Sequence, residues 1–155
     1  MNNTAKIMDN QRTISTSRFG AVEINDAKII NMTAPFLGFP DDREFILLPH
    51  APNSPFWWLQ AVNSPELAFV VIQPTLLDDS YRPKIGGNIC RELQISKDED
   101  LEILVILTIP KGRPEQMTAN LLGPVVINIS KKLARQVLLD PSYYSPCQPV
   151  GGAKE

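Results

Sequence analysis

The chain has 155 residues, a formal net charge of −2, 43% hydrophobic residues and 21% charged residues. This composition fits one globular domain with its own core and argues against disorder throughout. The net charge is close to neutral and gives no sign of the clustered basic face that nucleic-acid binding usually requires.

Short apolar runs separated by Pro and Gly predict an all-β, mainly antiparallel fold. The expected architecture is a small β-barrel or a barrel-like sandwich with one or two short helices, since a single sequence does not reveal sheet closure. We expect one β domain over residues 13–140. A disordered leader over residues 1–12 and a mostly disordered tail over residues 141–155 should flank it.

The first predicted element is a β-hairpin. Residues 20–24 form its first strand, Asn25 and Asp26 its turn, and residues 28–30 its return, because Asn and Asp tolerate tight-turn conformations. The following loop, residues 34–42, carries apolar side chains that we expect to fold onto one end of the barrel or sandwich.

Further strands are predicted from apolar runs that are too short for typical helices and favour strand conformations. Their apolar side chains occupy both alternating faces, so either both faces are covered or one meets a partner. The runs are residues 44–48, 56–62, 68–72, 101–109, 125–129 and 134–139.

One segment, residues 87–93, is predicted to be helical. Ile89 and Leu93 are spaced to share one helix face, and Asn88 is the expected N-cap. A second short helical turn is predicted at residues 64–67, with Ser64 as N-cap and Pro65 in the first turn.

The residues needed for catalysis are sparse. His50 is the single histidine, so a Ser–His–Asp or Cys–His arrangement would have to recruit it. Gly86 and Gly87 carry no phosphate-binding fingerprint. We therefore expect no enzyme activity, no metal and no cofactor, with His50 as a solvated loop residue.

Two features suggest protein binding instead. The acidic run Asp98, Glu99 and Asp100 is either a solvated loop or a patch that meets a basic partner. In a strand, Trp57 and Trp58 point to opposite faces. One of them therefore faces solvent, a covering loop or a partner, and tryptophan is enriched at interaction hot spots.

A cytoplasmic location is expected. No apolar run approaches the roughly 20 residues that span a bilayer, and residues 1–12 lack the apolar centre of a signal peptide. Cys90 and Cys147 form no motif with each other and are expected to be free thiols in a reducing compartment.

Several segments occur in a distinctive order along the chain: residues 16–20, 35–39, 45–48, 56–60, 65–72, 117–128 and 136–140. Together they resemble the flagellar assembly factor FliW family. The resemblance covers roughly residues 13–146, and its most specific parts are a Trp-Leu-Gln segment and a Met-Thr-Ala-Asn-Leu block. Residues 141–147 depart from the family pattern, because they carry no charge where relatives often have a basic stretch.

The resemblance implies a non-enzymatic switch that binds two protein partners alternately. Members of this family bind flagellin in the cytoplasm. They also bind the carbon storage regulator CsrA and relieve its repression of flagellin synthesis allosterically. We accordingly expect a monomer that contacts neither nucleic acid nor membrane directly.

Candidate partner-binding residues follow from these features. The acidic run would favour CsrA through complementary charge, and the Met-Thr-Ala-Asn-Leu block together with the Trp-Leu-Gln segment would shape a groove. The candidates are Trp58, Gln60, Asp98, Glu99, Asp100, Met117, Asn120 and Leu121. Two alternatives remain: a small barrel that binds RNA directly, with steep salt dependence, and a hydrolase with a pocket of converging polar groups.

Overall fold

The computed structural model describes residues 11–150, which form an all-β, mainly antiparallel fold. The strands are β1 (Gln11–Thr16), β2 (Gly20–Asn25), β3 (Ile30–Met32), β4 (Glu44–Pro49), β5 (Trp57–Ala61), β6 (Ala68–Ile72), β7 (Leu101–Thr108), β8 (Thr118–Ala119), β9 (Val125–Asn128), β10 (Leu133–Gln136) and β11 (Gln148–Pro149). The α-helix α1 spans Gly87–Glu92, and 3-10 turns lie at Asp26–Lys28, Pro74–Leu76, Asp98–Asp100 and Pro114–Gln116.

Seven strands close into a barrel in the order β7-β6-β5-β4-β3-β10-β9, with β9 returning to β7. Closure depends on the length of β7. Its first half pairs with β9 from Leu101 onward, and its second half pairs with β6 and β8. The strands pair antiparallel except for β3 with β10. Of the two predicted architectures, the barrel is therefore the one formed.

The barrel interior is packed with side chains from every wall. Leu59 and Val71 have no exposed surface. At the end formed by the β3–β4 and β5–β6 loops, here called the top, Phe36 packs edge-on against Phe45 with ring centroids 5.3 Å apart. It also lies 4.7 Å from the Phe69 ring. The prediction that the loop of residues 34–42 folds onto the barrel end is confirmed.

Two outer layers explain why the strands are apolar on both faces. The β1–β2 hairpin lies over β4 and buries Ile14 and Ile24 against Ile46. On the other side, Tyr81 and Leu121 cover the outer face of β6 and β7 at Ile72 and Val105. Most outward apolar side chains are thus covered by the chain itself.

The predicted N-terminal hairpin is wrong in its pairing. β2 pairs antiparallel with β1, whereas β3 enters the barrel and pairs with β4. β1 also begins inside the predicted disordered leader. Its sequence is polar because only Ile14 and Thr16 are buried and the other side chains are exposed. Residues 1–10 of that leader lie outside the described residues.

The described part of the predicted disordered tail is packed against the barrel. β11 pairs with β8, the Leu121 N–H donates to the Ser145 carbonyl, and the Tyr144 ring lies 5.5 Å from Tyr81. Ordering this Pro-rich segment costs conformational entropy. The packing of the Tyr144 ring on Tyr81 and the backbone hydrogen bonds offset that cost. Residues 151–155 lie outside the described structure.

The helix prediction is confirmed, although its cap differs. Gly86, and not Asn88, is the N-cap. The Glu92 carboxylate accepts hydrogen bonds from Thr33 of the β3–β4 loop and Arg135 of β10. The Thr33 hydrogen bond, with help from Arg135, lowers the pKa of Glu92 and ties α1 to the barrel wall.

The second predicted helical turn is a tight turn instead. The Leu67 N–H donates to the Ser64 carbonyl, and the Ser64 hydroxyl donates to Asp42 and caps no helix. Across residues 11–150, no helix has the length and apolar character needed to cross a membrane.

Candidate protein-binding surfaces

Trp58 lies on the outer face of β5 but is covered. It is 9% exposed, and the Arg18 guanidinium stacks over its ring at 3.9 Å from the centroid. Its indole Nε1 donates to His50 Nδ1 at 3.2 Å. Trp57, on the opposite parity, lies at the lower barrel mouth and is 38% exposed. The more accessible ring of the pair is therefore Trp57, which was not among the predicted site residues.

Gln60 is fully buried and organises the β5–β6 loop. Its Nε2 lies 3.1–3.3 Å from four backbone carbonyls, those of residues 61, 64, 65 and 67. Its Oε1 has no hydrogen-bond partner within the described structure. An amide that points both N–H groups at loop carbonyls fixes the loop, and Gln60 offers a partner no exposed surface.

The Met-Thr-Ala-Asn-Leu block closes a turn beside β7. Asn120 Oδ1 accepts from the N–H groups of Leu122 and Gly123. The Leu121 side chain is buried, and Met117 is half-buried against the same outer core. Within the block, Met117 and Asn120 retain exposed surface.

Leu121 also forms the floor of a groove of about 680 Å3 that the sequence did not reveal. Leu76, 59% exposed, and Tyr143, 79% exposed, rise above it. The remaining lining residues are Leu77, Asp78, Ser80, Tyr81, Tyr144, Ser145, Gln148, Pro149 and Val150. Hydrogen bonds from Ser80 lower the pKa of Asp78. Asp78 therefore contributes a negatively charged carboxylate to the groove lining at neutral pH.

Sequence reasoning missed this groove because its walls are distant in sequence. One wall is the 3-10 turn after β6 and the other is the segment expected to be disordered. The adjacent pair Tyr143-Tyr144 could have indicated that this segment packs against the barrel, because disordered segments contain few aromatic residues.

The acidic run lies at the lower end of the barrel, in the 3-10 turn that leads into β7. Asp98 and Glu99 are exposed. Asp100 is half-buried, and its carboxylate accepts from the Ser130 hydroxyl at 2.6 Å. Asp100 thus anchors the β9–β10 turn, while Asp98 and Glu99 present free carboxylates.

Residues typical of catalytic or metal centres are dispersed. Within residues 11–150, no group of three or more His, Cys, Asp or Glu side chains could hold a metal ion. Cys90 and Cys147 are free thiols. His50 is exposed, as expected for a loop histidine, and its Nδ1 is occupied by Trp58.

Tyr81 makes the groove wall sensitive to high pH. Its buried hydroxyl donates to the Leu121 carbonyl at 2.8 Å, and burial, with a smaller effect of Tyr144, raises its pKa above the usual value. Above about pH 10 the unfolded chain releases this proton while the folded protein retains it. The free energy of unfolding should therefore fall as the pH rises.

Tyr81→Phe should weaken this alkaline loss and cost about 1 kcal/mol at neutral pH through the lost hydrogen bond. Urea titrations from pH 7 to pH 11 measure both effects. Tyr143→Phe, at an exposed ring in the same groove, is the control and should change neither. An unaltered alkaline slope in Tyr81→Phe would contradict this assignment.

Taken together, residues 11–150 form a closed β-barrel that carries a groove of mixed apolar and polar lining on one side and exposed carboxylates at one end. This is a class of fold suited to binding other proteins. The FliW protein family matches residues 13–150. The chain therefore belongs to the FliW family.

Relatives support this assignment over most of their length. The flagellar assembly factor FliW of Magnetococcus marinus is 39% identical over 137 residues, which is 88% of this chain and 83% of the relative. That of Syntrophus aciditrophicus is 40% identical, covering 84% and 82%. A crystal structure of the flagellar assembly factor FliW superposes with a TM-score of 0.82 at 34% identity, covering 90% of this chain and 96% of that one.

Proposed function

We propose that this chain acts in the cytoplasm as a non-catalytic switch that binds flagellin and, separately, binds and allosterically antagonises CsrA. The observation that carries the proposal is the family match over residues 13–150, which covers the whole barrel and its outer layers. A partner switch requires coupled binding and no catalytic group.

Two distinct surfaces support a protein with two partners. The free carboxylates of Asp98 and Glu99 precede the start of β7. The groove is built around Leu121, and the neighbouring Asn120 N–H donates to Ile106 near the end of β7. At about 3.3 Å per residue, five residues of β7 separate these regions by roughly 16 Å. Separate sites allow one partner to influence the other without overlap.

The acidic turn suits CsrA. A protein that binds RNA phosphates needs clustered cations, and their field extends about 8 Å at physiological ionic strength. Asp98 and Glu99 are exposed and can meet such a field.

The groove suits a helical terminal region of flagellin. Its walls mix apolar and polar side chains, and the exposed Leu76 and Tyr143 offer contacts to the apolar face of an amphipathic helix. Met117 and Asn120 lie at the adjoining turn, so the groove and the predicted Met-Thr-Ala-Asn-Leu block form one continuous region of the surface.

Charge reversal of the acidic turn should weaken CsrA binding. We expect Asp98→Lys/Glu99→Lys to lower the affinity about tenfold, because like charges would then face each other. The fold should persist, since neither carboxylate accepts a side-chain hydrogen bond within residues 11–150. Isothermal titration calorimetry at two salt concentrations measures the effect, which should shrink at high salt.

Asp41→Lys/Glu66→Lys is the matched control. Both residues are exposed acids in loops at the top of the barrel, so this variant makes the same change in net charge at the opposite end. Equal losses in the two variants would show that CsrA responds to net charge alone. Unchanged affinity in the Asp98/Glu99 variant would remove the acidic turn from the interface.

A further inference from the structure

Among residues 11–150, β4 has an edge at the lower end of the barrel that pairs with no other strand. It pairs with β5 along its length, from Phe45↔Ala61 to Pro49↔Trp57. On its other side, β3 pairs with it only at Phe45 and Glu44. The chain before β3 forms the 3-10 turn Asp26–Lys28, so the described strands leave residues 46–49 without a neighbour on that side.

The hydrogen-bonding direction of each β4 residue follows from its neighbours. The Val62 N–H donates to the Glu44 carbonyl, and the His50 N–H donates to the Phe56 carbonyl. Even-numbered residues of β4 therefore bond to β5, because antiparallel partners alternate. Leu47 consequently directs its N–H and carbonyl toward the open side, and Pro49 directs its carbonyl there.

An apolar cavity of about 320 Å3 adjoins this edge. It is the lower mouth of the barrel, where Trp57 is 38% exposed and Ile129 is 42% exposed. Its lining residues are Lys28, Ile30, Ile46, Leu47, Trp57, Glu102, Ile127, Ile129 and Lys132. A second recess of about 400 Å3 shares Lys28, Ile46 and Leu47 and continues along the hairpin.

The side chains that line the mouth favour an acidic ligand, with two lysines against one carboxylate. The acidic turn Asp98–Asp100 borders the mouth at Ile129, whose N–H donates to the Asp100 carbonyl, but it is not part of the lining. Lys28 and Lys132 face one carboxylate, Glu102, which already accepts from Gln73 Nε2 at 3.0 Å. Lys28 lies beside the free edge in both recesses and makes no ion pair with any of residues 11–150. Glu23 is the acidic residue of the outer recess, away from the mouth.

We propose that the β4 edge and the lower barrel mouth form a docking site for an extended segment of a protein partner, which adds to β4 as a strand. Its backbone pairs with Leu47 and with the Pro49 carbonyl. An inward apolar side chain fills the mouth between Trp57 and Ile129, and an outward acidic side chain meets Lys28. Strand addition of this kind draws affinity from main-chain bonds and specificity from alternate side-chain pockets.

A second copy of this chain fits the site less well than such a partner. Proline and lysine at a strand edge oppose pairing between identical edges, and this edge carries Pro49 with Lys28 alongside. Two copies would also bring like-charged Lys28 side chains toward one another. The site extends the proposed function with a third surface, and it does not depend on which partner supplies the segment.

Titration of the full chain with two synthetic peptides, followed by amide NMR, tests the site directly. The probe is acetyl-Asp-Val-Asp-Ile-Asp-Val-amide, and the matched peptide carries Lys in place of Asp. We expect the acidic probe to shift the Leu47 and Ile129 amides saturably and to slow hydrogen exchange at Leu47. The basic peptide should bind about tenfold more weakly.

The variant Lys28→Glu/Lys132→Glu should reverse this preference, because the charges of the mouth are exchanged while the β4 edge is retained. Equal binding of both peptides to both proteins would overturn the acidic part of the inference. The absence of any shift at Leu47 with either peptide would overturn the docking site. Both results are independent of flagellin and CsrA, so they are distinguishable from a failure of the proposed function.

Discussion

Asn128→Ala should lower the free energy of unfolding by about 2–4 kcal/mol, because the buried side chain joins the end of α1 to the β9–β10 turn. Asn128 is 1% exposed at the end of β9. Its Nδ2 donates to the Leu93 and Gln94 carbonyls at 2.8 and 3.0 Å. Its Oδ1 accepts from the N–H groups of Ser130 and Lys131. Alanine would leave the buried Leu93 carbonyl without its donor and would release the β9–β10 turn, whose residues Ser130 and Lys131 are exposed.

Chemical denaturation measures this loss, and the m-value should stay unchanged because the fold itself is retained. Asn31→Ala is the matched control, since Asn31 is an exposed asparagine on the adjacent part of the barrel, and it should change stability by less than about 0.5 kcal/mol. Asn128→Asp keeps the acceptor for the turn but not the two donors, so it should also destabilise the protein. Equal stability of Asn128→Ala and Asn31→Ala would show that the network is dispensable.

Phe36→Ala should have the largest effect on the barrel, about 3–5 kcal/mol. The ring is 3% exposed and contacts Phe45 and Phe69 at the top of the interior. Its removal opens a cavity and releases the β3–β4 loop from the barrel end. The barrel would then lose both apolar burial and the closure of its upper mouth.

Leu37→Ala supplies an unusually close comparison. Leu37 is the next residue in the same loop, yet it is 95% exposed, so its replacement should change the unfolding free energy by less than about 0.5 kcal/mol. Thermal and urea denaturation of the two variants side by side measure the difference. Similar losses would mean that the loop does not seal the barrel in solution.

The sequence was most informative where strands are continuous and apolar. β7 and β9 are predicted because their apolar runs are rich in β-branched residues, which favour strands. β10 is predicted as the return after the polar turn at residues 130–132, although Leu133–Gln136 holds no β-branched residue. β1 was missed because its outer face is solvated and Ile14 alone contributes a large apolar side chain to the buried face. Local pattern cannot identify a strand whose burial depends on another segment folding beneath it.

The candidate site was less predictable for the same physical reason. Gln60 and Asn120 are polar residues in apolar surroundings, a pattern that suits either binding or internal hydrogen bonding. Their partners are backbone groups within seven residues along the chain, but the residue pattern does not show whether the side chain turns toward them or toward a partner protein. The groove near Leu121 and the free β4 edge depend on contacts distant in sequence, so they became visible only in three dimensions.

Coupled binding of flagellin and CsrA to this chain is the core of the proposed function. Calorimetric titration of CsrA into the full chain, with and without saturating flagellin, tests it most directly. We expect sub-micromolar CsrA binding, a free energy of about −8 kcal/mol or more favourable, in the absence of flagellin and a large loss of that binding in its presence. CsrA binding that is absent from the folded protein, or that flagellin leaves unchanged, would contradict the switch.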